Sequence, residues 1–296
     1  MNRRLYAAAL ATVALTACSR SSSPSTSGVV PGSSAPATTA ATASHPVGAV
    51  SASATPAGTM RAAVYYLGGP ASRPVLYREF RTVPRSTAVI RSAVEAMLHL
   101  TPLDSDYRSL WPRATTVRGV SVSGATATVD LSASARAVTA GTATERASLQ
   151  QLVHTVSAAA PSITSVRLRF DGATKPTLWG HVSTTGAIAR GPQADVLAAV
   201  WVIDPAPGAS VGHAFTAKGS ASVFEATVSW SVTRTDGSPI KNGFVNASVG
   251  GPGRGDYTVA VTLPASAHGT VVFTAWESSA KDGSVQSPDS KTYRVA

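Results

Sequence analysis

Cysteine is nearly missing from this chain: among 296 residues there is one, Cys18. That excludes an intramolecular disulfide and any cysteine-rich zinc site. Charged residues are scarce too, at 14%, yet they are unbalanced, giving a net charge of +10 and a pI near 10.3. Without disulfides the fold must be held by packing. An apolar content of 44% supplies real cores, though much of it is alanine. The length allows one large domain or two ordinary ones.

The single thiol sits where it has a use. Arg3 and Arg4 are followed by "LYAAALATVALTA", a stretch too short for a comfortable membrane helix. It ends in Leu15-Thr16-Ala17-Cys18, which resembles the bacterial lipobox. In that motif the cysteine receives a diacylglyceryl thioether and becomes the first mature residue. Residues 1–17 thus read as a lipoprotein signal peptide and Cys18 as the lipidation site. The competing reading is a plain secretion signal with an incidental cysteine. Twin-arginine export lacks the rest of its motif. Acyl chains contribute about 0.8 kcal/mol per buried methylene, so two or three hold a protein on a membrane. Residues 18–60 follow as a tether: 35 of the 41 residues in 19–59 are Ser, Thr, Ala, Gly or Pro. Such a segment cannot offset its ordering entropy, and as a coil it reaches roughly 35 Å.

Order is expected from about Met60. "RAAVYYLGG" (61–69) and "VLYREFRTV" (75–83) read as a hairpin. "STAVIRSAVEAMLHL" (86–100) places Ile90, Val94, Met97 and Leu98 on one helix face, and Thr101-Pro102 ends it. "VRGVSVSGATATVDLS" (117–132) alternates around a turn at Ser123-Gly124. "TATERASLQQLVHTVSAA" (142–159) is a helix with a stripe of Leu149, Leu152, Val153 and Val156. Its Thr142 and Glu145 have capping-box spacing. "ITSVRLRFDG" (163–172) alternates, with Arg167 and Arg169 opposite Val166, Leu168 and Phe170. The order strand-strand-helix-strand-strand-helix-strand predicts an α+β domain over 61–190, a mixed sheet with two helices on one side.

From about 195 no helical period appears. "AAVWVIDPAPGASV" opens with a strand and a Pro-Gly turn, and "VFEATVSWSVTRTDG" alternates over Phe224, Ala226, Val228, Trp230 and Val232. "YTVAVTLP", "GTVVFTAWES" and "KTYRVA" follow. Residues 195–296 therefore predict an all-β immunoglobulin-like sandwich.

On these pieces a family resemblance rests. "VYYL", "VIRSAVEAMLHL", "VSVSGATATVDLS" and "LQQLVHTVSAAAPSITSVRLRFDG" resemble a GerMN domain, known from sporulation and spore-germination proteins. "DPAPGASV", "GSASVFEATVSWSV" and "GTVVFTAWESS" are similar to the immunoglobulin-like Gmad domain of spore-germination proteins. The resemblance implies an envelope lipoprotein with a non-catalytic interaction role. Related GerMN domains occur in sporulation assemblies and in an actinobacterial lipoprotein partnered with a sensor kinase. The Ala/Arg-rich usage resembles a high-GC actinobacterium. The family name alone does not place this chain in spores.

Chemistry is sparse. "GASVG" (208–212) matches G-x-S-x-G, with Ser210 as nucleophile and Asp256 and His268 following in hydrolase order. The elbow, however, needs a strand before, a helix after and a parallel sheet, so a turn serine is the better reading. "GGPGRG" (250–255) lacks the Lys-Ser/Thr of a phosphate loop. None of the histidines, His45, His99, His154, His181, His213 and His268, has a partner at ligand spacing. His99 and His154 read as surface or boundary residues. Asp104 and Asp106 lack the further ligands of a calcium loop. Asn246-Ala-Ser248 is a formal sequon without consequence in a bacterial lipoprotein, and Trp111 and Trp179 read as core or junction aromatics. No cofactor, metal or catalytic residue is expected.

Charge says more. Residues 61–190 hold 15 Lys+Arg and 7 Asp+Glu, a net of +8, and 14 of those cations are arginine; residues 191–296 hold 7 and 8, a net of −1. Arg78, Arg81, Arg167 and Arg169 alternate on strands and could share an exposed face for an anionic partner. The bland alternative is a solvated basic surface. Lipid head groups, wall polymers and acidic proteins are the available anions, and export disfavours nucleic acid.

The reading reached is a lipid-anchored protein at the extracellular face of the cytoplasmic membrane, not an enzyme. It acts as an interaction or scaffold module for a protein partner or anionic wall polymer, with links to sporulation, germination or wall and signalling assemblies. The alternative is a cell-wall serine hydrolase or esterase using Ser210. A solute-binding lipoprotein would need a deep interdomain cleft, and the short connection 190–196 leaves little room for hinge closure.

Overall fold

A computed structural model describes residues 58–296. The signal peptide at 1–17, the lipidation site Cys18, His45 and nearly all of the 18–60 tether lie outside the described residues.

The first hairpin forms as the alternation requires, β1 (Thr59–Gly68) against β2 (Val75–Pro84), antiparallel throughout. After it come α1 (Val89–His99), β3 (Val117–Ser123), β4 (Thr126–Leu131), α2 (Thr142–Ala159), β5 (Ser165–Phe170) and a short β6 (Ala187–Ala189). The mixed sheet runs β3-β4-β5-β6, with β4 and β5 parallel across the α2 crossover. The hairpin stands apart as its own two-stranded sheet. Both helices pack on β1 while α1 also meets β3 and α2 meets β5, so they lie against the hairpin as well as the mixed sheet.

That position explains why α2 is buried far beyond its apolar stripe. Gln151, Thr155, Ser148, His154 and Glu145 are all buried. Gln151 Nε2 donates to the Tyr65 carbonyl at 2.8 Å, and the Tyr65 amide donates to Thr155 Oγ1 at 3.2 Å. Further along, Leu67 and Arg108 exchange backbone hydrogen bonds of 2.8 Å. The edge of β1 not used by β2 is thus satisfied by helix side chains and a loop, rather than left open for another strand.

Expectation fails at the start of α2. The residue before the helix is Gly141, with no side-chain cap. Glu145 is fully buried and instead accepts the Trp179 and His181 amides at 2.8 and 2.9 Å. The carboxylate that capping-box spacing assigned to its own helix end organises the 179–181 loop. Trp179 and Trp111 are buried side by side, ring centroids 5.7 Å apart.

A four-residue α3 (Gln193–Val196) leads into β7 (Val200–Asp204), β8 (Ser210–Val211), β9 (Ala214–Ala221), β10 (Thr227–Arg234), β11 (Pro239–Asn246), β12 (Gly255–Thr262), β13 (Gly269–Ser278) and β14 (Val285–Val295). They form two sheets, β11-β10-β13-β14-β8 and β12-β9-β7. Val228, Trp230, Val232, Tyr257, Phe273 and Tyr293 fill the space between. The predicted alternation is shorter than read: Phe224 is exposed in a 3-10 turn ahead of β10, where Glu225 and Ala226 have positive φ.

Gly219 on β9 has no room for a side chain. A Cβ there would lie 2.0 Å from the Trp201 carbonyl oxygen and 2.3 Å from the Tyr257 ring. Gly219→Ala should therefore cost at least about 1–3 kcal/mol by overpacking, read as a lowered urea midpoint with unchanged slope.

Candidate functional site

The chemistry-bearing residues converge where the two halves meet. Leu197, Ala198 and Trp201 belong to the core of the first region although they lead into the second. The Ala198 amide donates to the Leu76 carbonyl at 2.9 Å, so the connection runs alongside β2.

At the centre is Lys291 on β14. Its side chain is 2% exposed, and its partners Asp104 and Asp289 are 6% and 3% exposed. The ammonium donates to Asp104 Oδ2, to Asp289 Oδ1 at 2.7 Å and to the Tyr107 hydroxyl at 2.7 Å. An ammonium has three donors, and all are used. Tyr107 in turn donates to Asp289 Oδ1 at 2.8 Å, and Asp289 Oδ2 accepts the Val202 amide at 2.6 Å. Burial raises the pKa of Asp289, with Lys291 opposing. Burial also raises that of Tyr107, and the carboxylates of Asp289 and Asp104 add to it.

The loop that brings Asp104 here is itself held by a carboxylate. Glu79 on β2 accepts the Leu103 and Asp104 amides at 2.9 and 3.0 Å. Arg81 donates to Glu79 at 2.9 Å and to the Thr101 carbonyl at 2.6 Å. Asp104 and Asp106, read from sequence as a weak candidate for a cation, therefore have separate tasks. Asp104 pairs with Lys291, and Asp106 accepts from Ser290 at 3.4 Å. Among the described residues no group of three or more His, Cys, Asp or Glu could hold a metal.

The four arginines expected to share a face do not. Arg78 and Arg81 lie on β2, Arg167 and Arg169 on β5, in different sheets. Arg81 is 12% exposed and committed to Glu79. Arg78 lies over the Trp201 and Phe80 rings, 5.1 and 4.9 Å from their centroids. Only Arg167 and Arg169 are exposed as expected. They lie on the sheet face opposite buried Val166, Leu168 and Phe170, beside Thr128 and Asp130 of β4.

The hydrolase arrangement does not assemble either. Ser210 sits in the two-residue β8, followed by another strand instead of a helix. No hydrogen bond joins it to His268 or to the Asp256 carboxylate, and the Asp256 amide donates to Ser248 Oγ at 3.1 Å. His154, expected near the surface, is buried; its pKa falls to about 4 through burial and the nearby charge of Arg190. A cleft of about 910 Å³ does open at the junction, lined among others by Arg73, Tyr77, Asp106, Glu277 and Ser287. It borders the stacked Tyr77–Tyr107 pair, whose centroids are 4.5 Å apart.

Sequence reading missed Lys291, Asp289 and Tyr107. The available signal was slight: a lysine and an aspartate two apart on a terminal strand, in a chain with few charges.

Comparison with known proteins follows the two cores. Residues 63–176 match a family model described as sporulation and spore germination, and residues 199–284 match one described as the immunoglobulin-like domain of bacterial spore germination. The chain thus carries a GerMN-type domain followed by an immunoglobulin-like Gmad-type domain. No curated protein matches it. Among solved structures, a candidate lipoprotein from Clostridium perfringens is 17% identical, with 45% of this chain and 89% of that one covered and a TM-score of 0.33. The tandem GerMN domains of the sporulation protein GerM from Bacillus subtilis are 17% identical over 69% of this chain and 62% of theirs, with a TM-score of 0.38. The first of those domains alone is 20% identical over 47% and 97%, with a TM-score of 0.36. The domain assignment rests on the family models, not on these scores.

Removing Lys291 would leave two buried carboxylates facing each other. Lys291→Met should cost about 3–5 kcal/mol, as for other broken buried ion pairs, measured by chemical denaturation with circular dichroism.

Proposed function

We propose, from a GerMN-type domain joined to an immunoglobulin-like germination domain, that this chain is an envelope lipoprotein working as a non-catalytic interaction module. Cys18 carries the lipid, residues 19–59 give reach, and the two domains present surfaces outward from the membrane. Among the described residues no helix is long and apolar enough to cross a membrane, which is compatible with anchoring through Cys18.

The observation that carries the reading is the helix-free face of the mixed sheet. There Arg167 and Arg169 are exposed and form no salt bridge among the described residues, with Thr128 and Asp130 of β4 opposite them in the sheet register. Two guanidiniums one strand repeat apart, about 7 Å, can grip carboxylates or phosphates through paired donors. The proposed partner is an acidic protein surface or an anionic wall polymer. The buried ion cluster at the junction supports a scaffold role, since it opposes displacement of one domain against the other. A serine hydrolase is disfavoured by the isolation of Ser210 described above.

Two measurements test this. Crosslinking pull-downs from membranes should lose their main partner in the Arg167→Glu/Arg169→Glu double variant; an unchanged partner list would remove the docking face from the proposal. Cys18→Ser should abolish palmitate incorporation and release the protein from the membrane fraction. Retention of both would end the anchoring premise.

A further inference from the structure

A second group of arginines lines a cavity. A cavity of about 130 Å³ lies at the domain junction, separate from the Lys291 cluster and from the exposed sheet face. Around it stand Arg78 from β2, Arg190 from the connection and Arg254 from the loop before β12, with His154 and Ser157 of α2 and Tyr65 of β1. Trp201 forms a further wall, and no carboxylate lines the cavity.

Three guanidiniums close together without an acid are unfavourable by Coulomb's law, more so where water is partly excluded. Two of the three are nevertheless held in place. Arg254 lies 4.1 Å from the Trp201 ring centroid and Arg78 5.1 Å, so one indole carries two cations. Arg254 is also tied to backbone, donating to the Ala198 carbonyl at 2.5 Å and the Ser220 carbonyl at 3.3 Å. These contacts leave other donors unused. Arg78 Nε, Arg254 Nε, Ser157 Oγ, His154 Nε2 and Trp201 Nε1 are all buried and without a partner in the protein. Five such atoms, two of them on cations, are rarely left unmatched together.

We infer that this cavity binds a single phosphate-sized oxyanion, held by Arg78, Arg190 and Arg254 with Ser157 as a hydroxyl donor. The volume fits that class. At roughly 30 Å³ per water the space equals a few waters, enough for one tetrahedral anion. Arginine's fork matches the separation of phosphate oxygens. An anion here would offset the repulsion among the guanidiniums and link α2, β2 and the second domain. The inference uses neither Arg167 nor Arg169 and so does not rest on the docking face.

The ion could be free or the end of a phosphomonoester, and the chemistry of recognition is shared. The test is isothermal titration calorimetry of the full-length chain with inorganic phosphate and, separately, with glycerol phosphate. Saturable binding of either supports the site; phosphate alone marks a closed cavity, and both mark one open to esters. Arg254→Gln and Arg190→Gln should each weaken binding about tenfold or more, the loss of one charge-assisted contact. The Arg167→Glu/Arg169→Glu variant should bind as wild type. If Arg254→Gln does not fold, the exposed Arg190 carries the test. Absence of binding by both compounds at millimolar concentration, or equal binding by wild type and Arg190→Gln, would overturn the inference.

Discussion

One ammonium group between two carboxylates decides how this molecule is put together. Lys291 comes from the last strand, Asp104 from the loop after α1, and Asp289 sits two residues before Lys291. Each ion is costly to take out of water, and their attraction offsets that cost only with full hydrogen bonding. The bonding here is full: the lysine has three acceptors, and Asp289 also takes the Tyr107 hydroxyl and the Val202 amide. Such a cluster adds little net stability over an apolar one. It does penalise every other docking of the two domains, because any slip would leave buried charge unmatched. The relative placement of the halves is therefore specified by charge, while their separate cores are specified by packing.

This constraint reaches back into the first domain. Asp104 can meet Lys291 only if its loop is fixed, and Glu79 fixes it through two backbone amides. Glu79 is buried and needs a cation, which Arg81 supplies. Arg81 was thus never available to a partner. Arg78, half-buried, is drawn onto Trp201 by the same docking. What alternation along β2 suggested as a basic surface is divided between a loop support and a junction contact.

Local order was readable because it depends on local pattern. The helix stripe at Leu149, Leu152, Val153 and Val156 and the strand pattern of β5 follow from periods of 3.6 and 2. Burial of Gln151 and Thr155 was not readable, since it arises from a hydrogen-bonding debt on the far edge of β1, some 90 residues away in sequence. Glu145 illustrates the same limit. Its spacing from Thr142 fits a capping box, but the loop at Trp179 offers two buried amides, and these outcompete the helix end. Lys291 and Asp104 are separated by 187 positions, and nothing in either neighbourhood marks them as partners. Short-range periodicity reveals elements; satisfaction of buried polar groups, which fixes the junction, is a property of the whole chain.

The junction also bears on how the cleft beside it can work. Solute-binding proteins that close around a ligand need a hinge whose two states differ little in energy. Here opening would pull Lys291 from Asp104 and expose Trp201, which is 1% exposed and packed in the first domain's core. Both changes are unfavourable and oppose widening of the 910 Å³ cleft by domain opening. The charge cluster therefore works against capture of a ligand by domain closure.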